Sequence, residues 1–412
     1  MDDGLPSEAQ HVVWPNLVRI EHEQEDVLTL YNPGHGTSLD IDAESRELVE
    51  EVLAGFATPI TPATFARAHR HVPRDLLVLM ARSGILVQPN ELPFLEHGFL
   101  KPTPNPVGAP WSWSDLPEAA QPGAWVTLGV PIDFAAGGAG GARQGPAEIR
   151  KVVNGSLLGG HGDIVDYEFG RLYPASAPAL ADLGDVEPDG GRLDHVGARL
   201  QKAVSDVLAR DMRPLVLGGD HSITHYVLQA LIARGEPFGL LHFDAHADMG
   251  PSRTLSHANV FEAAIESPCV QSIVQIGLRG IERMSPFSRR VPCPKRTVVT
   301  AREALSGRAQ QVLEALPKDL PYYLSFDIDC IDGAVARETG TPLFAGLSVS
   351  LATELVDYAA RHLRLLGADF VEVSGPPSAL NASAVIAASL LARCVLADSE
   401  FTPLQASDRY VF

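Results

Sequence analysis

Short apolar runs and longer helical segments alternate along the chain from about residue 124 onwards. The apolar runs end in glycine or charged residues, as in RPLVLGGDH, FGLLHFDAHAD and YYLSFDID. Between them lie segments with apolar residues at helical spacing, such as LDHVGARLQKAVSDVLARD. This alternation predicts an α/β fold, doubly wound around a largely parallel sheet. In such sheets the binding site lies at the carboxyl ends of the strands, which is where the charged residues fall here.

The first 89 residues follow a different pattern. The segment DVLTLYNPGHGTSLDI predicts two short strands joined by a turn at Asn32–Gly36. Three amphipathic helices follow; we expect the first to end at Gly55, the second to begin with Thr61 as its N-cap, and the third to end at Gly84. A final strand at 85–87 completes a small α+β domain whose element order is that of a winged helix.

These patterns divide the chain into three parts. We expect a small winged-helix-like α+β domain at residues 1–89 and the main α/β domain at residues 123–412. Residues 90–122 are rich in proline and lack periodicity, which predicts an extended linker between the two domains.

Composition narrows the classes of partner. The formal charge of −19 disfavours nucleic acid and anionic membranes, and no apolar run approaches the roughly 18 residues that a membrane span needs. The first domain carries roughly 14 acidic and about 6 basic residues, the wrong balance for phosphate binding. The acidic start of the chain has no apolar signal core, and the four cysteines have no CxxC spacing. We therefore expect a soluble, cytoplasmic protein with reduced cysteines.

Acidic and imidazole side chains cluster where three of the predicted strands end. In extended chain, residues two apart point to the same side, so each motif should gather its polar side chains on one face. Buried carboxylates this close would repel each other and take up protons unless cations neutralised them. Carboxylate and imidazole ligands together suit Mn²⁺, with other first-row ions possible. Two divalent ions roughly 3.5–4 Å apart can activate a bridging water. The residues concerned are His221, Asp244, His246, Asp248, Asp327 and Asp329.

Each of these motifs also has an ordinary structural interpretation. A single Asp-x-Asp most often caps a strand end, and a single histidine after Gly-Gly-Asp is most often a hydrogen-bonded loop residue. The three motifs together, each at the end of a predicted strand, favour a centre for two metal ions.

Three motifs carry a resemblance to a known family. GGDHSIT, HFDAHADMG and SFDIDCID resemble the ureohydrolases, which include arginase, agmatinase and formiminoglutamase, and the resemblance extends over Ala124–Arg393. It implies a three-layer α/β/α sheet of the arginase type, two Mn²⁺ ions, cleavage of a guanidine to an amine and urea, and assembly into a homo-oligomer.

The resemblance also implies roles for individual residues. Asp248 would handle a proton besides binding metal, His257 would pass a proton to the leaving amine, and Glu372 would anchor the guanidinium group. His257 could instead be a surface loop residue, and Glu372 a structural ion-pair partner. The implied metal ligands are His221, Asp244, His246, Asp248, Asp327 and Asp329.

The sequence departs from enzymes of free arginine where those enzymes bind the amino-acid end of the substrate. Met249 and Gly250 stand where the family has an asparagine shortly after the last aspartate of the DAHAD motif. Ser374 stands where the family has another asparagine, and Glu282 follows GLR at a position where the family has an aspartate. We expect Glu282 and Arg253, with Glu372, to contact the substrate, and we expect that substrate to be a guanidine other than free arginine.

The first domain resembles winged-helix domains that bind precursor peptides by adding them as a strand. This favours an arginine side chain in a precursor peptide as the substrate, with ornithine as the product. Two alternatives stay open. One is a small free guanidine, such as agmatine, a guanidino acid, arginine or a guanidinylated metabolite. The other is a catalytically silent ureohydrolase fold that serves as a peptide-binding scaffold.

Overall fold

The protein is described by a computed structural model. Two compact units are present, Met1–Leu100 with Arg192–Ala203 and Lys101–Gly191 with Val204–Phe412. The structure describes residues 9–13, 17–22, 27–32, 37–88, 100–101, 103, 106–107, 109–110, 122–135, 140–158, 162–178, 180–188, 192–250, 254–281, 295–375 and 381–405.

The N-terminal segment of the first unit forms two small antiparallel sheets and three helices. The elements are β1 (Val12–Val13), β2 (Val18–His22), β3 (Val27–Asn32), β4 (Thr37–Ile41), α1 (Arg46–Gly55), α2 (Pro62–Ala68), α3 (Arg74–Arg82) and β5 (Leu86–Val87). Strands β2, β3 and β4 pair in that order, and β1 pairs with β5.

Local sequence signals predict these elements well. Helix α1 ends at Gly55, and the Thr61 hydroxyl caps α2 by accepting the Thr64 N–H at 3.1 Å. The predicted strand pair is β3 and β4, whereas β1 and β2 were not predicted. One core is formed by the sheet and the helices, with Leu28, Leu30, Val49, Val52, Phe56, Phe65, Leu77 and Met80 all buried. The likeness to a winged helix stays a prediction.

The second unit contains a large sheet and a small one. The strands are β6 (Leu100–Lys101), β7 (Ala109–Pro110), β8 (Trp125–Val130), β9 (Ile164–Asp166), β10 (Arg171–Tyr173), β11 (Leu180–Val186), β12 (Arg213–Gly218), β13 (Phe238–Phe243), β14 (Val270–Leu278), β15 (Arg296–Thr300), β16 (Pro321–Asp327), β17 (Arg364–Val371) and β18 (Thr402–Pro403). The large sheet has ten strands in the order β15-β14-β13-β16-β17-β12-β8-β11-β6, with β7 also pairing with β11, and β9, β10 and β18 form the separate three-stranded sheet.

Helices connect the strands of the large sheet. They are α4 (Gly145–Val152), α5 (Leu193–Leu208), α6 (Ile223–Ala233), α7 (Glu262–Glu266), α8 (Ala301–Ala304), α9 (Arg308–Ala315), α10 (Val349–His362) and α11 (Ala382–Leu396). Helices α10 and α11 pack on each other, and α4 packs on α11.

The large sheet confirms the predicted α/β class. From β15 to β11, every neighbouring pair of strands is parallel. Strands β13 and β16 are buried at every position, so both faces of the sheet centre are covered. From β13 the chain continues to β14 on one side, and from β16 it continues to β17 on the other. The strand order therefore reverses between β13 and β16, and their carboxyl ends open onto one crevice.

Part of the predicted linker belongs to the sheet. Strand β7 pairs with β11, and the Val107 N–H donates to the Asp182 carboxylate at 2.7 Å. The described cysteines Cys269, Cys330 and Cys394 are free thiols. No described helix is long and apolar enough to cross a membrane.

Candidate metal centre and active site

His221 lies in the tight turn between β12 and α6. A Cβ on Gly219 would come within 1.7 Å of the Ile132 carbonyl oxygen, so only glycine allows the turn to pack this closely. His221 is fully buried, and its Nε2 lies 2.9 Å from the Ser325 hydroxyl. That hydroxyl donates its single proton to Asp369 at 2.7 Å, so it accepts from His221. The proton of the neutral imidazole is therefore on Nε2, and Nδ1 carries the lone pair that can take up a second proton or bind a metal ion.

The lone pair on Nδ1 of His221 faces carboxylates. Among the described residues this buried nitrogen has no hydrogen-bond partner. A lone pair surrounded by carboxylate oxygens is repulsive unless a cation lies between them. Without metal a proton takes this place, because burial is outweighed by the carboxylate contacts, which raise the pKa of His221 well above its usual range, and a metal ion fits the same position. The three nearest carboxylate oxygens lie 3.3 Å away on Asp244, 3.0 Å away on Asp248 and 3.3 Å away on Asp327.

A second group adjoins the first. The Nδ1 atom of His246 lies 3.0 Å from Asp329 and 3.4 Å from Asp244. The Thr341 hydroxyl and the Ala245 N–H donate to the two oxygens of Asp329, at 2.9 and 3.1 Å, and fix its orientation. Asp244 belongs to both groups, and each could hold a metal ion.

The side chains converge for a different reason from the one predicted. Strand β13 ends at Phe243, and the chain then bends at Ala245 and His246, with Asp248 in the left-handed region at φ 48°. After β16 the chain turns into a 3₁₀ helix, and the Asp327 carboxylate caps it by accepting the Asp329 N–H at 2.9 Å. The prediction that these side chains meet by alternating along an extended strand is therefore wrong for both motifs. The bends separate His246 and Asp248 into the two groups.

Without cations the cluster takes up protons. Burial raises the pKa of Asp248, and the neighbouring charge of Asp244 raises it further, to about 7. Contacts with Asp244 and Asp329 raise the pKa of His246 to about 11. Burial also raises the pKa of Asp327 well above its usual range. The site therefore holds excess negative charge that protons neutralise in the absence of metal.

Glu372 and His257 border the cluster. Glu372 follows β17 in the left-handed region at φ 63°, an uncommon conformation that turns its side chain back towards the metal groups. One carboxylate oxygen accepts the backbone N–H of His221 at 2.9 Å and lies 3.5 Å from Nδ1 of His257. The contact with Glu372 raises the pKa of His257. A buried carboxylate and an imidazole whose pKa it raises thus lie side by side next to the metal groups.

Some predicted residues cannot be placed. Arg253 and Glu282, the two predicted substrate contacts besides Glu372, lie outside the described residues. Ser374 is buried, and its N–H donates to the Glu338 carbonyl at 2.8 Å.

Two buried polar residues close to the cluster were missed from the sequence. The Nε2 atom of His242 lies 2.8 Å from Asp244, and Asp369 accepts from Ser325 as described above. The sequence does contain a signal for His242 and for Ser325, the residue that contacts Asp369. Each is a polar residue within an apolar run and lies two positions before a metal-facing aspartate.

Comparison with known proteins bears on this site. A model of the arginase family matches residues 124–397. The mitochondrial guanidino acid hydrolase of Homo sapiens is 35% identical over 276 residues, which cover 64% of this chain and 75% of that protein. A guanidinopropionase of Pseudomonas aeruginosa is 34% identical, over 66% of this chain and 86% of the relative. The crystal structure of a hypothetical agmatinase from Burkholderia thailandensis aligns with a TM-score of 0.57 and 30% identity, over 67% of this chain and 85% of that chain.

The chain belongs to the arginase family, whose members are binuclear metal enzymes that hydrolyse amidino C–N bonds. The resemblance to ureohydrolases is thereby confirmed. The family model leaves residues 1–123 unmatched, so it does not bear on the N-terminal segment. Because the human relative is named as mitochondrial, the cytoplasmic location stays a prediction.

Metal binding should stabilise the protein more strongly as the pH rises. A carboxyl whose pKa rises on folding, such as Asp248 at about 7, makes the metal-free protein less stable as pH increases from about 4 to about 7. His246, with a pKa of about 11, loses its stabilising contribution as pH rises from about 6.5 to about 11. Cations replace these protons, at about 1.4 kcal/mol per pH unit for each proton displaced.

Thermal unfolding of Mn²⁺-loaded and chelator-treated protein tests this dependence. The difference in Tm between the two forms should widen by a few degrees between pH 6 and pH 8. A difference that stays constant or narrows would show that no protons are displaced from this cluster.

Proposed function

We propose that the protein is a binuclear manganese amidinohydrolase that cleaves a guanidine to an amine and urea. The observation that carries the proposal is the position of Glu372, a buried carboxylate that accepts the N–H of His221. A guanidinium bound to this carboxylate would lie directly beside the two groups that could hold cations. Class and geometry therefore agree on the chemistry.

The donor atoms of the two groups suit Mn²⁺. Carboxylate oxygens and imidazole nitrogens are ligands that this ion accepts. His221, Asp248 and Asp327 would hold one ion, His246 and Asp329 would hold the other, and Asp244, which belongs to both groups, would serve both. When bound, two such ions supply a water molecule that is acidic enough to act as a nucleophile at neutral pH.

The remaining work falls to side chains of the protein. Glu372 binds and orients the planar guanidinium through charge-assisted hydrogen bonds, which removes the entropy of aligning it. Asp248 would handle a proton besides holding metal, as the ureohydrolase resemblance implies. His257, with its raised pKa, is placed to give a proton to the departing nitrogen.

A small free guanidine is the substrate that the comparisons support best. The relatives are named for guanidino acids, guanidinopropionate and agmatine, each a guanidine on a short carbon chain. The altered residues around Met249, Gly250 and Ser374 agree with a substrate other than free arginine. Nothing in the comparisons supports the arginine-containing peptide that the sequence favoured.

The first unit nevertheless supports a peptide as a second candidate substrate. Residues 1–123 have no counterpart in the family model. In the described part of this unit, β2 and β4 are the outer strands of an antiparallel sheet, the kind of edge to which a peptide can add as a further strand. An arginine in such a peptide would give ornithine.

Urea release from a panel of guanidines decides between the two substrates. The purified protein with Mn²⁺ is offered agmatine, guanidinopropionate, guanidinoacetate, free arginine and arginine-containing peptides. We expect a short-chain guanidine to give the highest kcat/KM. If every compound in the panel fails to release urea, the proposal of an amidinohydrolase is wrong.

Removal of the first 99 residues should separate the role of the N-terminal segment from that of the arginase-family domain. The truncated chain starts at Leu100 so that β6 and β7 remain with the large sheet. We expect kcat/KM for the best small guanidine to stay within about threefold of the full chain, because the family fold lies in residues 124–397. A loss confined to peptide substrates would instead favour the peptide. Circular dichroism of the truncated chain checks that it is folded.

A further inference from the structure

A row of buried polar side chains crosses the centre of the large sheet beneath the metal groups. His242 on β13 is in register with Gln275 on β14 and with Ser325 on β16, and Ser325 is in register with Asp369 on β17. All four are almost completely buried. Polar groups at such positions require partners, so the hydrogen bonds among them define what the row does.

The direction of hydrogen bonding in this row is fixed at Gln275. The Nε atom of Arg296 can only donate, and it lies 2.6 Å from Oε1 of Gln275. The Ala247 carbonyl can only accept, and it lies 2.7 Å from Nε2 of the same side chain. These two contacts independently assign the oxygen and the nitrogen of the Gln275 amide.

The assigned amide in turn fixes the tautomer of His242. The Nε2 atom of Gln275 lies 2.7 Å from Nδ1 of His242 and has a second hydrogen to donate there. Nδ1 of His242 therefore accepts, and the ring proton is on Nε2. That atom lies 2.8 Å from Oδ2 of Asp244, to which it donates. Phe261 packs against the ring, with centroids 4.3 Å apart, and holds it in place.

The row gives opposite roles to two histidines, His242 within it and His221, which contacts it through Ser325. His221, hydrogen-bonded through Nε2 to Ser325, has Nδ1 left to take a proton or to bind a metal ion among the carboxylates. His242, although its ring nitrogen lies within 4.8 Å of the donor atoms of His221, Asp244 and Asp248, presents a hydrogen to them. A protonated nitrogen has no lone pair to give to a metal ion.

We propose that His242 is a positioning residue and not a metal ligand: it holds the shared carboxylate of Asp244 through a hydrogen-bond relay that begins at Arg296. The inference rests on the proposed function, because it assumes that the cluster holds cations. Carboxylates that bind metals are commonly oriented by such outer hydrogen bonds, and loss of one weakens metal binding about 10- to 100-fold.

Two substitutions at this position distinguish positioning from ligation. Gln in His242→Gln can place its amide nitrogen near the position of Nε2 and so retains a donor for Asp244. Asn in His242→Asn reaches only the position of Nδ1 and loses that donor. Both are uncharged amides, so they form a matched pair. Calorimetric titration of Mn²⁺ into the metal-free full-length chain gives the affinity without any substrate.

We expect His242→Asn to weaken Mn²⁺ binding about 10- to 100-fold and His242→Gln to stay within about threefold of the native chain. Equal losses of Mn²⁺ affinity in both variants would show that the imidazole itself binds metal or only fills space. Unchanged Mn²⁺ affinity in both would show that the hydrogen-bond relay does not contribute to metal binding. Each of these results overturns the proposal.

If His242→Asn fails to fold, Gln275→Glu decides the question. It keeps the size of the side chain but removes the donor to Nδ1, and we expect at least tenfold weaker Mn²⁺ binding. Unchanged binding would contradict the relay. A native chain that binds Mn²⁺ but releases no urea would end the proposed function and leave the result on His242 standing.

Discussion

Replacing Asp244 with Asn should abolish urea release, lowering kcat/KM at least about 10³-fold, which corresponds to about 4 kcal/mol of transition-state stabilisation. Asp244 contacts both His221 and His246, so it is the carboxylate on which both metal groups depend. Its two oxygens also accept separate hydrogen bonds, from Nε2 of His242 and from the N–H of His246. An asparagine keeps only one of these acceptors and loses the charge, so both metal groups are weakened.

The matched control is Asp319→Asn, the same exchange at an exposed position ahead of β16. It should leave urea release and metal content unchanged. Activity of Asp244→Asn within tenfold of the native protein, measured with saturating Mn²⁺, would contradict the assignment of Asp244 to a shared metal-binding role.

Glu372→Gln should lose activity while keeping its metal. Removing one partner of a buried, hydrogen-bonded charge pair costs about 2–5 kcal/mol, so we expect kcat/KM to fall roughly 30- to 5000-fold. The glutamine can still accept the N–H of His221, and the turn that carries this ligand is therefore retained. The readouts are steady-state urea release and Mn²⁺ content of the same preparation.

Here the control is Glu354→Gln, an exposed glutamate on α10, which should behave as the native chain. If Glu372→Gln keeps kcat/KM within about threefold, Glu372 is not the guanidinium anchor. If it loses metal as well as activity, Glu372 acts by supporting the His221 turn, and the anchoring role is again wrong.

The sequence was sufficient to predict the central strands of the large sheet because these are continuous apolar runs that end in charged motifs. Strands β6 and β7 lie in the segment predicted as a linker and were not predicted. A strand buried on both faces leaves few polar positions, so β13 and β16 stand out, as do the aspartates that follow them. The small sheet of the first unit was predicted only in part. Strand β1 has only two residues and pairs with the distant β5, so no local pattern marks it. Strand β2 does alternate apolar Val18 and Ile20 with polar neighbours, and this signal was missed.

The sequence predicted which residues form the candidate site better than it predicted how they are arranged. Asp244, His246 and Asp248 do lie together, but a bend and a left-handed residue bring them there, and the spacing of residues along a strand does not encode either. His242 and Asp369 act through register with neighbouring strands, which appears only once the strand order is known. Arg253 and Glu282 fall outside the described residues, so their contact with substrate stays a prediction.

The most direct measurement of the central claim is the metal content of the purified full-length chain. After loading with Mn²⁺ and extensive dialysis, elemental analysis should find two manganese ions per chain, and one or none after Asp244→Asn. A native chain that retains no transition metal, or the same amount as the Asp244→Asn variant, would contradict the claim that these carboxylates and imidazoles are assembled around two cations.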